Sequence, residues 1–344
     1  MQYNLLSCVL IVSFVFFGQT SPAAQMLLQQ PPATQVAKRL KRVAVPLLLA
    51  GGYAIHKLVQ TACRLSEKHA PKIALDQSHA DNKEKNDKPF ATLFAHGHGG
   101  GIDHMNIYTG DYLPTSKNVP CQFLNKPEYK AKEFFKYSYL AQEGDIQILK
   151  ASYEELQKDH NIILFGVSRG ASVIRNFLGR YRASQVKAAV EESPFASLED
   201  VTTHIVSKEA DKIVPFPFVV KKVLGDIIAS CAKIMFKGYS PYGIRPVDVA
   251  AKVDPELPIL VVCSKEDDVI PASSSIKLYE KIKQAGHKKA HLLVLDHGQH
   301  AYITAGRDGL KYRNVLHAFY QKYNLPHTAE YAKAGEAHFA KTQP

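Results

Sequence analysis

Asn161-Ile162-Ile163-Leu164-Phe165-Gly166-Val167-Ser168-Arg169-Gly170 is the stretch from which the rest of the chain is read. Asn161–Phe165 reads as a strand whose Ile162–Phe165 is a short, unbroken apolar run, as expected of burial on both faces, and it ends at Gly166. From Ala171 to Tyr181 the apolar residues recur at helical spacing. Between strand and helix stands a glycine-x-serine-x-glycine turn. Glycines at 166 and 170 remove the side chains that would collide in so tight a reversal. Ser168 is thereby held out at the end of the strand, beside a helix N-terminus. A serine there can also be a simple helix N-cap. The strand before it and the helix after it favour a nucleophile, with Gly166 and Gly170 as the glycines of the elbow.

Outward from this turn, short apolar runs alternate with helical patterns. Phe90–Ala95, Val186–Val190, Leu257–Cys263 and His291–Leu295 read as strands, with a shorter one at Cys121–Leu124. Ile146–Leu156, Ser273–Gln284 and Asp308–Tyr323 read as helices. Continuous apolar strands alternating with helices predict an α/β fold with a mostly parallel sheet covered on both faces. No internal repeat is visible.

A serine hydroxyl is a poor nucleophile until a base takes its proton. Two later segments offer the groups required, each just past the C-terminal end of a strand, where α/β sheets gather their sites. Ser264–Pro271 carries Glu266, Asp267 and Asp268; Asp296–His300 carries His297 and His300. A third segment, His96-Gly97-His98-Gly99-Gly100-Gly101, follows the strand Phe90–Ala95 at once. His96, His98, Asp103 and His104 can be read as a metal cluster, but no further Cys or His spacing supports one and it leaves the glycines unexplained. No metal and no cofactor is expected.

With these segments in place, the chain resembles the α/β-hydrolase superfamily, in its lipase, esterase and serine-aminopeptidase-like branch, from roughly Phe90 to Tyr323. The resemblance implies a serine hydrolase that cleaves an ester, thioester or amide bond through an acyl-enzyme, a carboxylic ester first among them. It implies a small cap inserted over residues 200–244. That branch's acid stands in a D-x-x-V/I-P pattern, matched by Asp267-Asp268-Val269-Ile270-Pro271, which selects Asp267. Its histidine precedes a small residue. His300-Ala301 fits, as does His297-Gly298, and His300 is preferred because it lies further into the turn. The glycine segment resembles the branch's HG-type oxyanion loop, so the backbone N–H groups of His98 and Arg169 are the expected oxyanion donors. Glu192-Ser193-Pro194-Phe195 also resembles the segment after the next strand. The strands that precede the HG loop in this superfamily are poorly represented. A non-catalytic binding protein or an acyltransferase on the same scaffold are the alternatives.

Outside this region the reading is compositional. The 344 residues are 46% hydrophobic and 22% charged, ordinary for a chain that buries a sizeable core. Leu5–Phe17 is apolar, uncharged and short for a membrane span, and small residues follow at Ser21-Pro22-Ala23-Ala24. Residues 1–23 therefore read as a signal peptide despite lacking a basic residue before the run, and export to a periplasmic, secreted or membrane-associated location is expected. Residues 24–88 read as a basic and apolar region with a linker. Lys38, Arg39, Lys41 and Arg42 beside Val43–Ile55 suggest a membrane-surface contact within residues 38–62. The net charge of +11 comes with no nucleic-acid motif. The cysteines other than Cys8 (Cys63, Cys121, Cys231 and Cys263) match neither a metal nor a compact disulfide pattern. Residues 89–326 form the catalytic domain and 327–344 a C-terminal tail. Apolar residues in the cap segment, Val214–Val220 and Leu224–Phe236, suit an acyl or lipid-like substrate.

Overall fold

A computed structural model of the chain describes residues 88–98, 100–123, 139–213, 222, 238–240 and 243–342. The residues read as a signal peptide and as a basic region, and most of the segment read as a cap, lie outside the described residues, as do Gly99, Cys8, Cys63 and Cys231. The chain divides into two compact units, residues 1–72 with 202–235 and residues 73–201 with 236–344. The second unit holds the sheet.

Six strands are described: β1 (Phe90–Ala95), β2 (Lys117–Pro120), β3 (Asn161–Val167), β4 (Val186–Glu192), β5 (Ile259–Ser264) and β6 (Ala290–Leu295). They lie side by side in the order β2-β1-β3-β4-β5-β6, and every neighbouring pair is parallel. All seven residues of β3 are buried, which accounts for its unbroken apolar run. The helices are α1 (Glu143–Leu156), α2 (Arg169–Leu178), α3 (Leu198–Ile213), the short α4 (Pro246–Val249), α5 (Ala272–Gln284), α6 (Gly309–Lys322) and α7 (Ala329–Phe339). On one face of the sheet, Phe94, Ile163, Phe165, Val190, Leu260, Val262 and Leu293 join Tyr312, Val315, Leu316 and Phe319 of α6 in a single core cluster.

From β1 the chain moves to the edge strand β2, then returns to the other side of β1 as β3 and proceeds outward. The connections that leave β1 and β3 thus diverge. In open α/β sheets the crevice at such a point, outside the carboxyl ends of the strands, is where ligands bind. The loop His96–Gly101 and Ser168 both emerge there.

Two expectations from the sequence need correcting. The short strand is Lys117–Pro120, just before the anticipated Cys121–Leu124; Cys121 itself is buried and its amide still donates to the Phe94 carbonyl at 2.7 Å. The segment taken as a C-terminal tail contains α7, packed on α6. Thr328, the residue before α7, donates its amide to His317 Nδ1 at 2.8 Å, and the Arg313 guanidinium lies 3.7 Å over the Tyr331 ring. Gly335 is where these helices meet most closely: a Cβ there would stand 2.0 Å from the Asn314 carbonyl oxygen. Glycine is therefore a packing requirement, not a helix break. Gly335→Ala should cost roughly 1–3 kcal/mol by forcing the helices apart. A thermal melt should show a fall of several degrees, and an unchanged Tm would refute this account of the contact.

Candidate active site

The site is built on the turn from β3 to α2. Gly166 has no room for a side chain: a Cβ would lie 2.6 Å from the Ala171 amide nitrogen. Gly170 has less, with the Ala95 carbonyl oxygen only 1.8 Å from a Cβ. Between them Ser168 adopts φ +56° and ψ −116°, a conformation L-residues rarely enter, at a cost of order 1–3 kcal/mol. The strain is held by hydrogen bonds on both sides: the Ser168 amide donates to the Glu192 carbonyl at 2.8 Å, and the Ser172 amide donates to the Ser168 carbonyl at 3.1 Å.

The side chains that the sequence singled out meet at this point. The Ser168 hydroxyl lies 2.9 Å from His300 Nε2, and His300 Nδ1 lies 2.8 Å from Asp267 Oδ2. With the Nδ1 proton donated to Asp267, Nε2 is free to accept from Ser168. The other Asp267 oxygen accepts the amides of Val269 at 3.0 Å and Ile270 at 2.8 Å. Burial pushes the Asp267 carboxyl up, but His300 and the Ile270 amide, with the Ser193 hydroxyl nearby, outweigh it and hold the carboxyl below its usual range. Only the imidazole of this row reaches solvent appreciably, with 15% of its side chain exposed.

The rival residues stand elsewhere. His297 Nδ1 is 2.8 Å from Glu266 Oε1 and 2.9 Å from an Arg307 nitrogen, in a group at the protein surface. Neither His297 nor Glu266 has a described hydrogen bond to Ser168, His300 or Asp267.

Gly97 brings the glycine loop to Ser168: a Cβ on it would lie 3.5 Å from Ser168 Cβ. His98 follows it directly, and Arg169 opens α2. The His96 ring is buried against Phe123, and burial, followed by the charge of Arg169, lowers its pKa to about 4, so it stays neutral. Its Nδ1 stands 2.8 Å from the Gly97 carbonyl. His104 Nε2 donates to the Ala301 carbonyl at 3.3 Å, which ties the glycine loop to the loop of His300. Among the described residues no group of three or more His, Cys, Asp or Glu side chains is placed to hold a metal ion. Asp103 is exposed.

The sequence reading passed over several groups around the row. Arg169 lies against Phe123 and 3.8 Å from buried Asp145, and Arg175 reaches Glu191 at 2.5 Å with both side chains fully buried. Glu192 receives a hydrogen bond from the Tyr108 hydroxyl at 2.8 Å. The available signal was the pair Glu191-Glu192 at the end of an otherwise apolar strand, since carboxylates do not enter buried strands without partners.

Because Gly170 packs directly on backbone that cannot move independently, Gly170→Ala should destabilise the fold by at least about 3 kcal/mol. Soluble, folded Gly170→Ala protein with a wild-type melting temperature would show that the elbow is looser than its contacts imply.

The model of the prolyl oligopeptidase family matches residues 148–325 of this chain, a little over half of it, a span that includes Ser168, Asp267 and His300 but begins after the glycine loop. The uncharacterized protein YqkD of Bacillus subtilis (strain 168) is 26% identical over 161 residues, which are 47% of this chain and 48% of that protein. The chain thus spans about half the length of that curated relative. Among solved structures, an esterase of Pyrococcus furiosus superposes over 69% of this chain and 84% of its own, with a TM-score of 0.50 and 17% identity. An acylaminoacyl peptidase of Pyrococcus horikoshii covers 72% of this chain and 39% of its own, with a TM-score of 0.48 and 18% identity. The parallel sheet, the strand-turn-helix elbow at its switch point and the family match agree. This chain belongs to the prolyl oligopeptidase family, within the serine-hydrolase branch of the α/β-hydrolase superfamily.

Proposed function

We propose that this chain hydrolyses a carboxylic ester through an acyl-enzyme formed on Ser168. The observation that carries the proposal is the hydrogen-bonded row from the Ser168 hydroxyl through His300 to Asp267. His300 accepts the hydroxyl proton as Ser168 Oγ attacks the acyl carbon, and Asp267 holds the ring in the tautomer that leaves Nε2 basic and stabilises the imidazolium. The tetrahedral oxyanion is placed between the amides of His98 and Arg169, where each donor typically contributes about 2.7–4 kcal/mol to the transition state. As the intermediate collapses, His300 returns the proton to the departing alkoxide. A water molecule, deprotonated in turn by His300, then attacks the acyl-serine and releases the acid.

The choice of an ester with an apolar portion is supported by the rim. Ile102 and Ile107, at the two ends of the 3-10 helix Ile102–Ile107 beyond the glycine loop, and Tyr302, two residues past His300, are the large apolar side chains left exposed around these loops among the described residues. His104 joins the two loops. Such a surface favours apolar acyl or alcohol groups over charged ones.

Ser168→Ala should abolish turnover of short p-nitrophenyl esters and labelling by a fluorophosphonate while leaving the melting temperature nearly unchanged, since little packing is lost. Asp267→Asn should reduce kcat by several orders of magnitude, because the amide favours the wrong tautomer. Asp268→Asn and His297→Ala should retain most of the rate, whereas His300→Ala should not. A dead His297→Ala variant beside an active His300→Ala variant would remove His300 from the role of base.

Export is proposed on the sequence of residues 1–24 alone. N-terminal sequencing of cell-derived protein should find chains that begin near Ala24 or Gln25, and protein that retains Met1 would count against cleavage.

A further inference from the structure

Glu192 is a fully buried carboxyl at the carboxyl end of β4 that the hydrolytic steps leave unused and that, unlike its neighbour Glu191, is hydrogen-bonded to a tyrosine and not to an arginine. It closes β4, next to β3, with Glu192 in register with Val167. Its backbone carbonyl accepts the amide of Ser168 at 2.8 Å. Its side chain accepts the hydroxyl of Tyr108, also at 2.8 Å, and neither residue is exposed. Tyr108 is the residue at which the 3-10 turn after the glycine loop ends. The Tyr108 ring is packed among Phe94, Phe165 and His104, with centroids 5.1–5.6 Å away. His104 in turn donates to Ala301, beside His300. One residue thus grips the nucleophile through its backbone and the glycine loop through its side chain, and that loop continues to the loop of the base.

We propose that Glu192 is a positioning residue for the hydrolytic reaction, fixing the glycine loop against the nucleophile elbow through Tyr108. This role rests on the reading of Ser168 as the nucleophile. The groups that face the Glu192 carboxyl are Tyr108 and Tyr112 from the segment after β1, Tyr312 from α6, Asp267 from the loop after β5 and His300 from the loop after β6. The two fully buried hydroxyls, Tyr108 and Tyr312, are held well above the usual tyrosine range by burial first and the nearby carboxyl second, so they remain donors. Burial likewise raises the Glu192 carboxyl to about 7, against the pull of Tyr108 and His300. Neutral Glu192 keeps its acceptor oxygen for Tyr108. Ionised Glu192 adds a negative charge that favours the imidazolium form of His300.

The test uses the full chain, a short p-nitrophenyl ester as substrate and a fluorophosphonate as active-site label. Tyr108→Phe and Glu192→Ala should each lower kcat at least about tenfold with little change in KM, as expected when a preorganised donor is misplaced and substrate binding is not. Glu192→Gln, which keeps the acceptor and cannot ionise, should rescue most of that loss. In Glu192→Gln the acid limb of the kcat/KM profile should also shift to lower pH than in wild type, because the anion that favours the imidazolium is gone. If Glu192→Ala does not fold, Tyr108→Phe and the pH profile of Glu192→Gln decide. Variants that melt earlier but keep wild-type kcat and pH profile would reduce Glu192 to a packing residue and overturn the proposal. So would a Glu192→Gln variant as slow as Tyr108→Phe with no shift of its acid limb. Wild-type protein that neither labels nor turns over would instead overturn the hydrolase reading, a result distinct from active wild type with silent variants.

Discussion

Backbone meets backbone where α2 leaves β3. Gly170 is pressed against the Ala95 carbonyl of β1 and Gly166 against the start of α2, so the chain can turn there only by placing Ser168 at φ +56°. Everything at the site follows from that passage. The turn projects one hydroxyl beyond the sheet at the point where the β1 and β3 connections part, and the parallel order delivers the loops after β5 and β6 to the same end. The strain is sustained because α2 is buried along all ten residues. Relaxing the turn would withdraw Ser172 from its hydrogen bonds to Phe195, Arg175 from Glu191 and Asn176 from the Ala141 carbonyl, each of them buried.

Around this turn the strand period sorts charge. Glu191 and Glu192 are consecutive on β4, so their side chains leave opposite faces of the sheet. Glu191 meets Arg175 of α2 on one face, a pair whose attraction is largely offset by desolvation but which is costly to break, because either charge alone would be stranded in the core. Glu192 meets tyrosine hydroxyls on the other face and, among the described residues, has no Lys or Arg bonded to it. A carboxyl in such surroundings favours its neutral form. Two identical residues side by side in sequence thus receive opposite electrostatic roles from alternation alone.

Most of the sheet was legible in the sequence because local pattern and tertiary environment coincide there. β1 falls on Phe90–Ala95 as read, and β3 extends two residues beyond Phe165 only because the elbow stays extended through Val167. Where the two diverge, the reading fails. Lys117–Pro120 carries no apolar run, since an edge strand needs burial on one side at most, whereas Cys121 and Phe123 are buried beyond the strand's end, with Gln122 exposed between them and the Cys121 amide still bonded to β1. The helix Ala329–Phe339 is rich in alanine and charge, and its seam against α6 is made by Ala332, Gly335 and Phe339, too few large apolar residues to announce a buried face. The link from Tyr108 to Glu192 spans 84 positions and leaves no trace in local spacing. Ser168 was legible from its own neighbours; the loops after β5 and β6 offer two histidines and three acids that no periodicity separates, and only the family resemblance singled out Asp267 and His300 among them.

What separates them in space is burial. The loops after β5 and β6 set two carboxylate–imidazole pairs beside each other, Glu266 with His297 and Asp267 with His300, and both pairs are 2.8 Å apart. Distance therefore says nothing about which pair is suited to move a proton. Glu266 and His297 have 45% and 37% of their side chains exposed, and Arg307 crowds the same nitrogen that faces the carboxylate. Water and a competing cation weaken the hold of such a carboxylate on the ring, and the ring is free to turn. The Asp267 side chain is fully buried and its second oxygen is taken by two amides, so its one remaining direction of attraction fixes His300 Nδ1. The ring can then present only Nε2 to Ser168. Adjacent residues of one loop diverge because the chain turns as soon as β5 ends at Ser264: the Asp267 amide donates back to the Ser264 carbonyl at 3.3 Å, and that turn leaves Glu266 exposed at its outside and Asp267 buried.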